Sequence, residues 1–119
     1  METDNLYAAN ITTLFGDIWE HTDKYSTAQT VKFLSVEAQN PYQNSLEEWR
    51  QKIDEIGLPF VLINTPVLAT SSPNTDKKSQ QKMREELEAN LKQTVDYCRV
   101  LKPKKVHIIL GDSRNAEDL

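Results

Sequence analysis

Residues 59–65, Pro-Phe-Val-Leu-Ile-Asn-Thr, form an almost unbroken apolar run that Pro66 closes. A run this short with so little polar relief is the pattern of a strand covered on both faces, as in a parallel sheet flanked by helices. Consecutive parallel strands need a crossover between them, usually a helix, so the neighbouring segments decide whether the chain can build such a sheet. Directly upstream, Ser45 and Glu48 make an S-x-x-E capping box, in which the serine hydroxyl accepts from the Glu48 backbone N–H and the glutamate reaches back. Leu46, Trp49, Ile53 and Ile56 then recur at spacings of three and four, and Gly57 supplies a left-handed stop. An amphipathic helix leading into a buried strand is therefore expected.

The same alternation runs through the rest of the chain. Leu6 to Thr13 suggests a short strand, and Gly16-Asp17 opens a helical segment carrying Ile18, Trp19 and Tyr25. Thr30 to Gln39, with Val31, Phe33, Leu34 and Val36, reads as a second strand stopped by Asn40-Pro41. Ala69 to Lys78 is a polar stretch and reads as a long loop. From about Ser79 to Leu101 the residues Met83, Leu87, Leu91, Val95, Cys98 and Leu101 make one stripe, with Glu88 and Lys92 paired on the wet side. Lys102, Lys104 and Lys105 complement the negative end of that helix, and Val106 to Leu110 is the fourth strand. After Asp112 the pattern stops. The fold class is α/β, built from parallel βα units. A complete (β/α)8 barrel takes about 250 residues. Four strands and three helices therefore read as a partial TIM barrel, one half, with residues 1–119 as a single domain.

Composition narrows the function classes. The 14 Lys and Arg against 18 Asp and Glu give a net charge of −4, so there is no basic footprint for a phosphate backbone and nucleic acid is not an expected partner. No apolar run approaches the length of a membrane span, and the acidic start, Met1-Glu2-Thr3-Asp4, leads into no secretory apolar region. The single cysteine, Cys98, has no internal disulfide partner, which fits a reducing, cytoplasmic setting. Hydrophobic residues amount to 38 %, which implies a thin core and a fold completed by another chain.

Four strand-associated segments are Tyr7-Ala8-Ala9-Asn10-Ile11-Thr12-Thr13-Leu14-Phe15, Val36-Glu37 leading to Asn40-Pro41-Tyr42, Val61-Leu62-Ile63-Asn64-Thr65-Pro66, and Lys105-Val106-His107-Ile108-Ile109-Leu110-Gly111. Together, in this order and spacing, they resemble the amino-terminal half of hydroxypyruvate isomerase, of the xylose-isomerase-like group of TIM barrels. The resemblance implies interconversion of hydroxypyruvate and tartronate semialdehyde by proton abstraction next to a carbonyl. It also places the main catalytic glutamates and metal ligands on strands five to eight. On that reading this chain holds no cofactor of its own, a divalent metal would come only with the other half, and the partner is a small hydroxy-carbonyl acid. One departure is the loop after the third strand: the family's is glycine-rich, and Val67 to Lys78 contains no glycine.

Glu37 is the candidate catalytic carboxylate. Strand alternation sends Leu34 and Val36 toward the helices and Ser35 and Glu37 toward the barrel axis. The competing reading is a structural carboxylate hydrogen-bonded in the barrel mouth. His107 points inward on the same logic and suits a substrate carboxylate or carbonyl, or alternatively is a satisfied core histidine. Asn10 and Asn64 end strands one and three, where an amide can orient a substrate oxygen or simply shape the turn. Asp17, His21 and Asp23 lie on a segment read as exposed and are not taken as a metal set. Cys98 reads as a small hydrophobe. Asn10-Ile11-Thr12 matches a glycosylation acceptor by chance. Two function classes follow: an isomerase half inactive alone, or a non-catalytic, self-associating half-barrel in which two copies close eight strands about a two-fold axis.

Overall fold

A computed structural model describes residues 7–18, 20–68 and 77–109 of the chain. Trp19, Leu110 and most of the polar loop, at 69–76, lie outside the described residues. The strands are β1 (Ala9–Asn10), β2 (Val36–Ala38), β3 (Phe60–Asn64) and β4 (Lys105–His107). Between them run α1 (His21–Thr30), α2 (Leu46–Ile56) and α3 (Lys77–Leu101). All three strand pairings are parallel and the spatial order is β1-β2-β3-β4, so each helix is a crossover between neighbouring strands. This is the α/β arrangement of a partial TIM barrel.

The helix α2 forms as its sequence dictates. Ser45 Oγ accepts from Glu48 N at 3.1 Å, and Ser45 N donates to Glu48 Oε1 at 3.1 Å. Gly57 ends the helix at φ 76°, a left-handed conformation that glycine adopts without a Cβ clash. Trp49, on the buried face of α2, meets Phe60 of β3 edge-on at 5.5 Å and Tyr25 of α1 edge-on at 5.8 Å, while Tyr25 stacks on Phe60 at 5.4 Å. All three rings are almost completely buried. Their polar tips are satisfied: Trp49 Nε1 donates to the Pro41 carbonyl at 2.7 Å, and Tyr25 Oη donates to that of Leu58. Around this wedge pack Ala9, Ile11, Val36, Ala38 and Ile63 from the helix-facing side of the sheet, with Ala28, Tyr97 and Leu101 from the helices.

A register shift sharpens the two-faced character of β3. Val36 pairs with Phe60, yet Glu37 pairs with Leu62, so Val61 is the extra residue of a bulge. Phe60 and Ile63, three apart, are therefore both buried against the helices, while Val61 and Leu62 are half-buried. The apolar run is thus less fully enclosed than its composition suggests.

Several boundaries differ from the sequence expectation, each for a local reason. The segment at Gly16-Asp17 is turn, not helix. Leu14 N donates to Asn10 O, Ile18 N donates to Phe15 O, and Phe15 sits at φ 60°. The helix α1 starts only at His21 and buries His21, Thr22, Lys24, Tyr25 and Ala28, a mostly polar face that apolar periodicity does not mark. His21, read from sequence as exposed, is 4 % exposed. Thr30 closes α1 instead of opening β2, because Phe33 N donates back to Ala28 O and Lys32 turns at φ 70°. Alternation then holds only within Val36–Ala38, so Leu34 is exposed and Ser35 buried, the reverse of expectation. On α3 the buried residues are Thr94, Tyr97 and Leu101, whereas Leu91 and Val95 of the apolar stripe are exposed. Cys98 is half-buried and packs against the core, with its thiol pushed up by burial.

The capping box gives a direct test. Ser45→Ala is expected to lower the unfolding free energy by about 1 kcal/mol. A urea titration should show this as an earlier midpoint with an unchanged slope, and Ser45→Asp should recover most of the loss.

Candidate functional site at the carboxyl ends of the strands

In a parallel sheet, residues in register project to the same side. Asn10 pairs with Glu37, Glu37 with Leu62, and Leu62 with Lys105, so these four share one row. Asn64 pairs with His107 two residues further along, on that same side. The face opposite the helices therefore carries all four sequence-derived candidates, Asn10, Glu37, Asn64 and His107, together with Lys105. Glu37 and Asn64 are half-buried, and His107 on the edge strand β4 is exposed. Glu37 and His107 belong to strands separated by β3, so they share a face without being in register.

Beyond the last ladder bonds the strands open into a cavity of about 350 Å³ lined by Thr12, Gln39, Asn40, Tyr42, Asn64 and Thr65, with Pro66, Val67 and Ile109 at its rim. Among the described residues the lining contains no charged side chain. It is a hydrogen-bonding cleft of amides and hydroxyls, at the end of a parallel βα sheet where barrel enzymes place their chemistry. The Asn64 side-chain oxygen is buried and has no hydrogen-bond partner, leaving an acceptor at this cleft. Asn10 differs: its Oδ1 accepts from Thr12 N at 3.0 Å, shaping the turn that leaves β1.

Sequence reasoning missed the side chains that hold the cleft together. Thr12 Oγ1 accepts from Gln39 N at 2.8 Å and Asn40 N at 3.2 Å, joining the ends of β1 and β2. Thr65 Oγ1 accepts from Ile109 N at 2.8 Å, joining those of β3 and β4. Tyr42 Oη donates to the Asn64 carbonyl and stacks edge-on against Tyr97 at 4.8 Å. The helix α3 supports the loops through polar residues: Asn90 donates to the Pro66 carbonyl at 3.4 Å, Thr94 Oγ1 lies 3.2 Å from Tyr42 Oη, and Tyr97 donates to the Asn44 carbonyl at 2.7 Å. Asn90, Thr94, Tyr97 and Leu101, spaced four, three and four, are the inward stripe. The available signal was a threonine at or just past each strand-ending asparagine, in Asn10-Ile11-Thr12 and Asn64-Thr65.

Beside the cleft, Asn44 is 2 % exposed and its amide donates to Glu20 Oε2 at 2.8 Å and Glu48 Oε2 at 3.1 Å. The Ser45 backbone N–H and then Asn44 hold the Glu48 carboxyl below the usual carboxylate range. Buried Lys24 donates to the Thr12 carbonyl at 3.2 Å. Burial first, and nearby Lys24 second, push the His21 imidazole down from its ordinary value, with Glu20 opposing. Among the described residues no three His, Cys, Asp or Glu side chains come together as a metal set. No helix among the described residues is long and apolar enough to cross a membrane.

The His21 environment sets a pH dependence. With its folded value depressed, the unfolded chain binds more protons below the ordinary imidazole value of roughly 6.5, so stability falls as pH drops through that point. Thermal unfolding between about pH 7 and pH 5 should show this slope, and His21→Gln should flatten it. The Glu48 contribution is lost at lower pH, as pH falls from the ordinary carboxylate value through its lower folded value, and should persist in that variant.

Comparison with known proteins places this geometry. No protein-family model matches the chain. A Danio rerio protein named "Putative hydroxypyruvate isomerase" is 30 % identical over 105 residues, covering 88 % of this chain and 38 % of the relative. A Caenorhabditis elegans protein of the same name is 28 % identical over 119 residues, covering all of this chain and 45 % of the relative. The chain thus spans about two fifths of the length of the curated relatives it matches. The crystal structure of an AP endonuclease, family 2, from Brucella melitensis superposes with a TM-score of 0.64 at 20 % identity, over 85 % of this chain and 39 % of that one. That likeness carries the fold alone. The chain is thus similar in sequence to part of two proteins named putative hydroxypyruvate isomerase and is built as a partial TIM barrel of parallel βα units.

Proposed function

We propose that the chain is the amino-terminal half of a hydroxypyruvate-isomerase-type barrel, with a small hydroxy-carbonyl acid as its substrate. The observation that carries this reading is the shared face. Asn10, Glu37, Asn64 and His107 project from one side of four parallel strands, beside an uncharged cleft at their carboxyl ends. The sequence relatives bearing the isomerase name make hydroxypyruvate the first substrate to test.

The chemistry is a proton shift between adjacent carbons. A base takes a proton from the hydroxymethyl carbon of hydroxypyruvate, the electron pair passes to the neighbouring carbonyl oxygen, and an enediolate results. Return of that proton from the base to the former carbonyl carbon, with the hydroxyl proton of the other carbon passing to the former carbonyl oxygen, gives tartronate semialdehyde. Such a step needs a carboxylate within reach of the carbon and hydrogen-bond donors on both enediolate oxygens. In this reading Glu37 is the base on this half, and the amides of Asn10 and Asn64 and the imidazole of His107 hold substrate oxygens. One carboxylate on an open face is exposed to water and faces no second acid, so the isolated half binds substrate and turns over poorly.

Hydroxypyruvate titrated into the isotopically labelled chain should shift backbone amides at the carboxyl ends of β1 to β4. Asn64→Ala and His107→Ala should each weaken binding roughly tenfold, as for a hydrogen bond to a charged group. Any slow isomerisation should disappear in Glu37→Gln. Shifts confined to the cavity at the opposite end of the sheet, around Arg50, Arg99 and Lys102, would overturn the proposal. The second reading, a non-catalytic self-associating half-barrel, is favoured by the apolar side chains exposed on α3 and β4.

A further inference from the structure

A second cavity lies at the amino-terminal ends of the strands, away from the cleft. It measures about 440 Å³ and opens between the carboxyl-terminal halves of α2 and α3 and the Leu58-Pro59 segment that leads into β3. That volume is in the range that takes a small organic molecule. Ile53, Leu58 and Leu101 line it and also belong to the hydrophobic core or pack against it, so its floor is apolar. Arg50, Arg99 and Lys102 line it too, against one carboxylate, Asp54, in a chain whose net charge is −4. Helix capping accounts for only part of this set. Arg99 and Lys102 lie at the end of α3, where cations offset the helix dipole, an effect that fades within the last turn. Arg50 stands six residues before the end of α2, whose last turn holds no basic residue. The arginines are only loosely paired: Arg50 Nη1 lies 3.6 Å from Glu47 and Arg99 Nη1 lies 3.9 Å from Asp96, exposed pairs too long for hydrogen bonds. Both guanidinium forks are therefore open to a planar oxyanion. Lys102 sits at φ 50°, with its N–H donating to the Cys98 carbonyl at 2.8 Å, in the left-handed region that the end of α2 fills with Gly57. A lysine thus stands where glycine is the easier residue.

We propose that this cavity binds an organic monoanion, a carboxylate carried on an apolar chain, with its head among Arg50, Arg99 and Lys102 and its chain on Ile53, Leu58 and Leu101. Charge sets the valence of the ligand. The three cations exceed Asp54 by two charges, and the carbonyl ends of α2 and α3, each worth about half a negative charge, take back roughly one. One negative charge balances what remains, so a carboxylate fits better than a dianionic phosphate. The floor sets the chain, because its three side chains are aliphatic and offer no hydrogen bond. The site is independent of the isomerase reading: hydroxypyruvate has such a head without the chain, and cleft and cavity lie at opposite ends of the sheet. The residues that form the floor are tied to the core, since the Leu58 carbonyl accepts from Tyr25 Oη and Leu101 is buried, so an occupant that binds only the folded chain adds to its stability.

Octanoate is the probe. Titrated into the isotopically labelled chain at low salt, it should shift backbone amides at 50–58 and 99–102, leave those of the cleft in place, and raise the thermal unfolding midpoint. Acetate lacks the chain, 1-octanol lacks the charge, and octylammonium reverses it, so each should bind at least about tenfold more weakly than octanoate. Arg50→Gln and Arg99→Gln should each raise the octanoate dissociation constant about tenfold, as for a hydrogen bond to a charged group. Both side chains are exposed, so circular dichroism should show both variants folded. Lys102→Gly separates binding from capping, because glycine adopts φ 50° freely: octanoate binding should weaken while the variant unfolds no earlier than the parent. No amide shifts at millimolar octanoate, shifts that fall in the cleft instead, a control compound that binds as tightly as octanoate, or an affinity unchanged in all three variants would overturn the proposal.

Discussion

The wedge of Tyr25, Trp49 and Phe60 is the contact on which the rest of the molecule depends. The strands are short, two to five residues each, so the ladder bonds alone hold little. What fixes their spacing is three interlocked rings from α1, α2 and β3, each fully buried and two of them hydrogen-bonded at their polar tips to carbonyls of the connecting loops. Truncating a core aromatic of this kind typically costs on the order of 3–5 kcal/mol, a large share of what a small domain has to spare. The same contact locates the site. Trp49 holds the carbonyl of Pro41, and the residue after Pro41 is Tyr42, whose hydroxyl holds the carbonyl of Asn64. Core and cleft are thus joined through one dipeptide.

The two faces of the sheet are stabilised by different means. The helix-facing side is closed by apolar burial, which is indifferent to direction. The carboxyl-terminal end is closed by directed bonds in which threonine, tyrosine and asparagine side chains bind backbone groups of the neighbouring loop. Polar clamps cost less there than in a dry core, because the loops expose backbone groups that need partners in any case. They also leave a cleft whose lining is already rigid and already polar. A cleft of this composition suits oxygen-rich ligands and disfavours apolar ones.

What the sequence made legible was the part written in local rules. The Ser45–Glu48 box, Gly57 and the apolar run at β3 each encode their element within a few residues, and strand alternation placed Glu37 and His107 on the face where Asn10 and Asn64 also lie. What escaped was set by tertiary context. The inward face of α1 is His21, Thr22, Lys24, Tyr25 and Ala28, and that of α3 is half-buried Asn90 with buried Thr94, Tyr97 and Leu101, polar stripes in which Lys24, Asn90 and Tyr97 bind carbonyls of the loops. Periodicity of apolar residues cannot find such faces. It found instead the Leu91 and Val95 stripe, a real pattern whose counterpart is not among the helices of this sheet.

In a closed barrel every strand is flanked on both sides, and the groups that bind a substrate face groups that act on it across the axis. Among the described residues, the groups suited to holding oxygens, the amides and hydroxyls of the cleft, lie beside a sheet face that carries one carboxylate, Glu37. Recognition and proton transfer are therefore separable in this architecture. The hydrogen-bonding lining of the cleft is assembled by contacts wholly within four βα units, whereas proton transfer in a water-excluded site needs groups that face each other across the pocket.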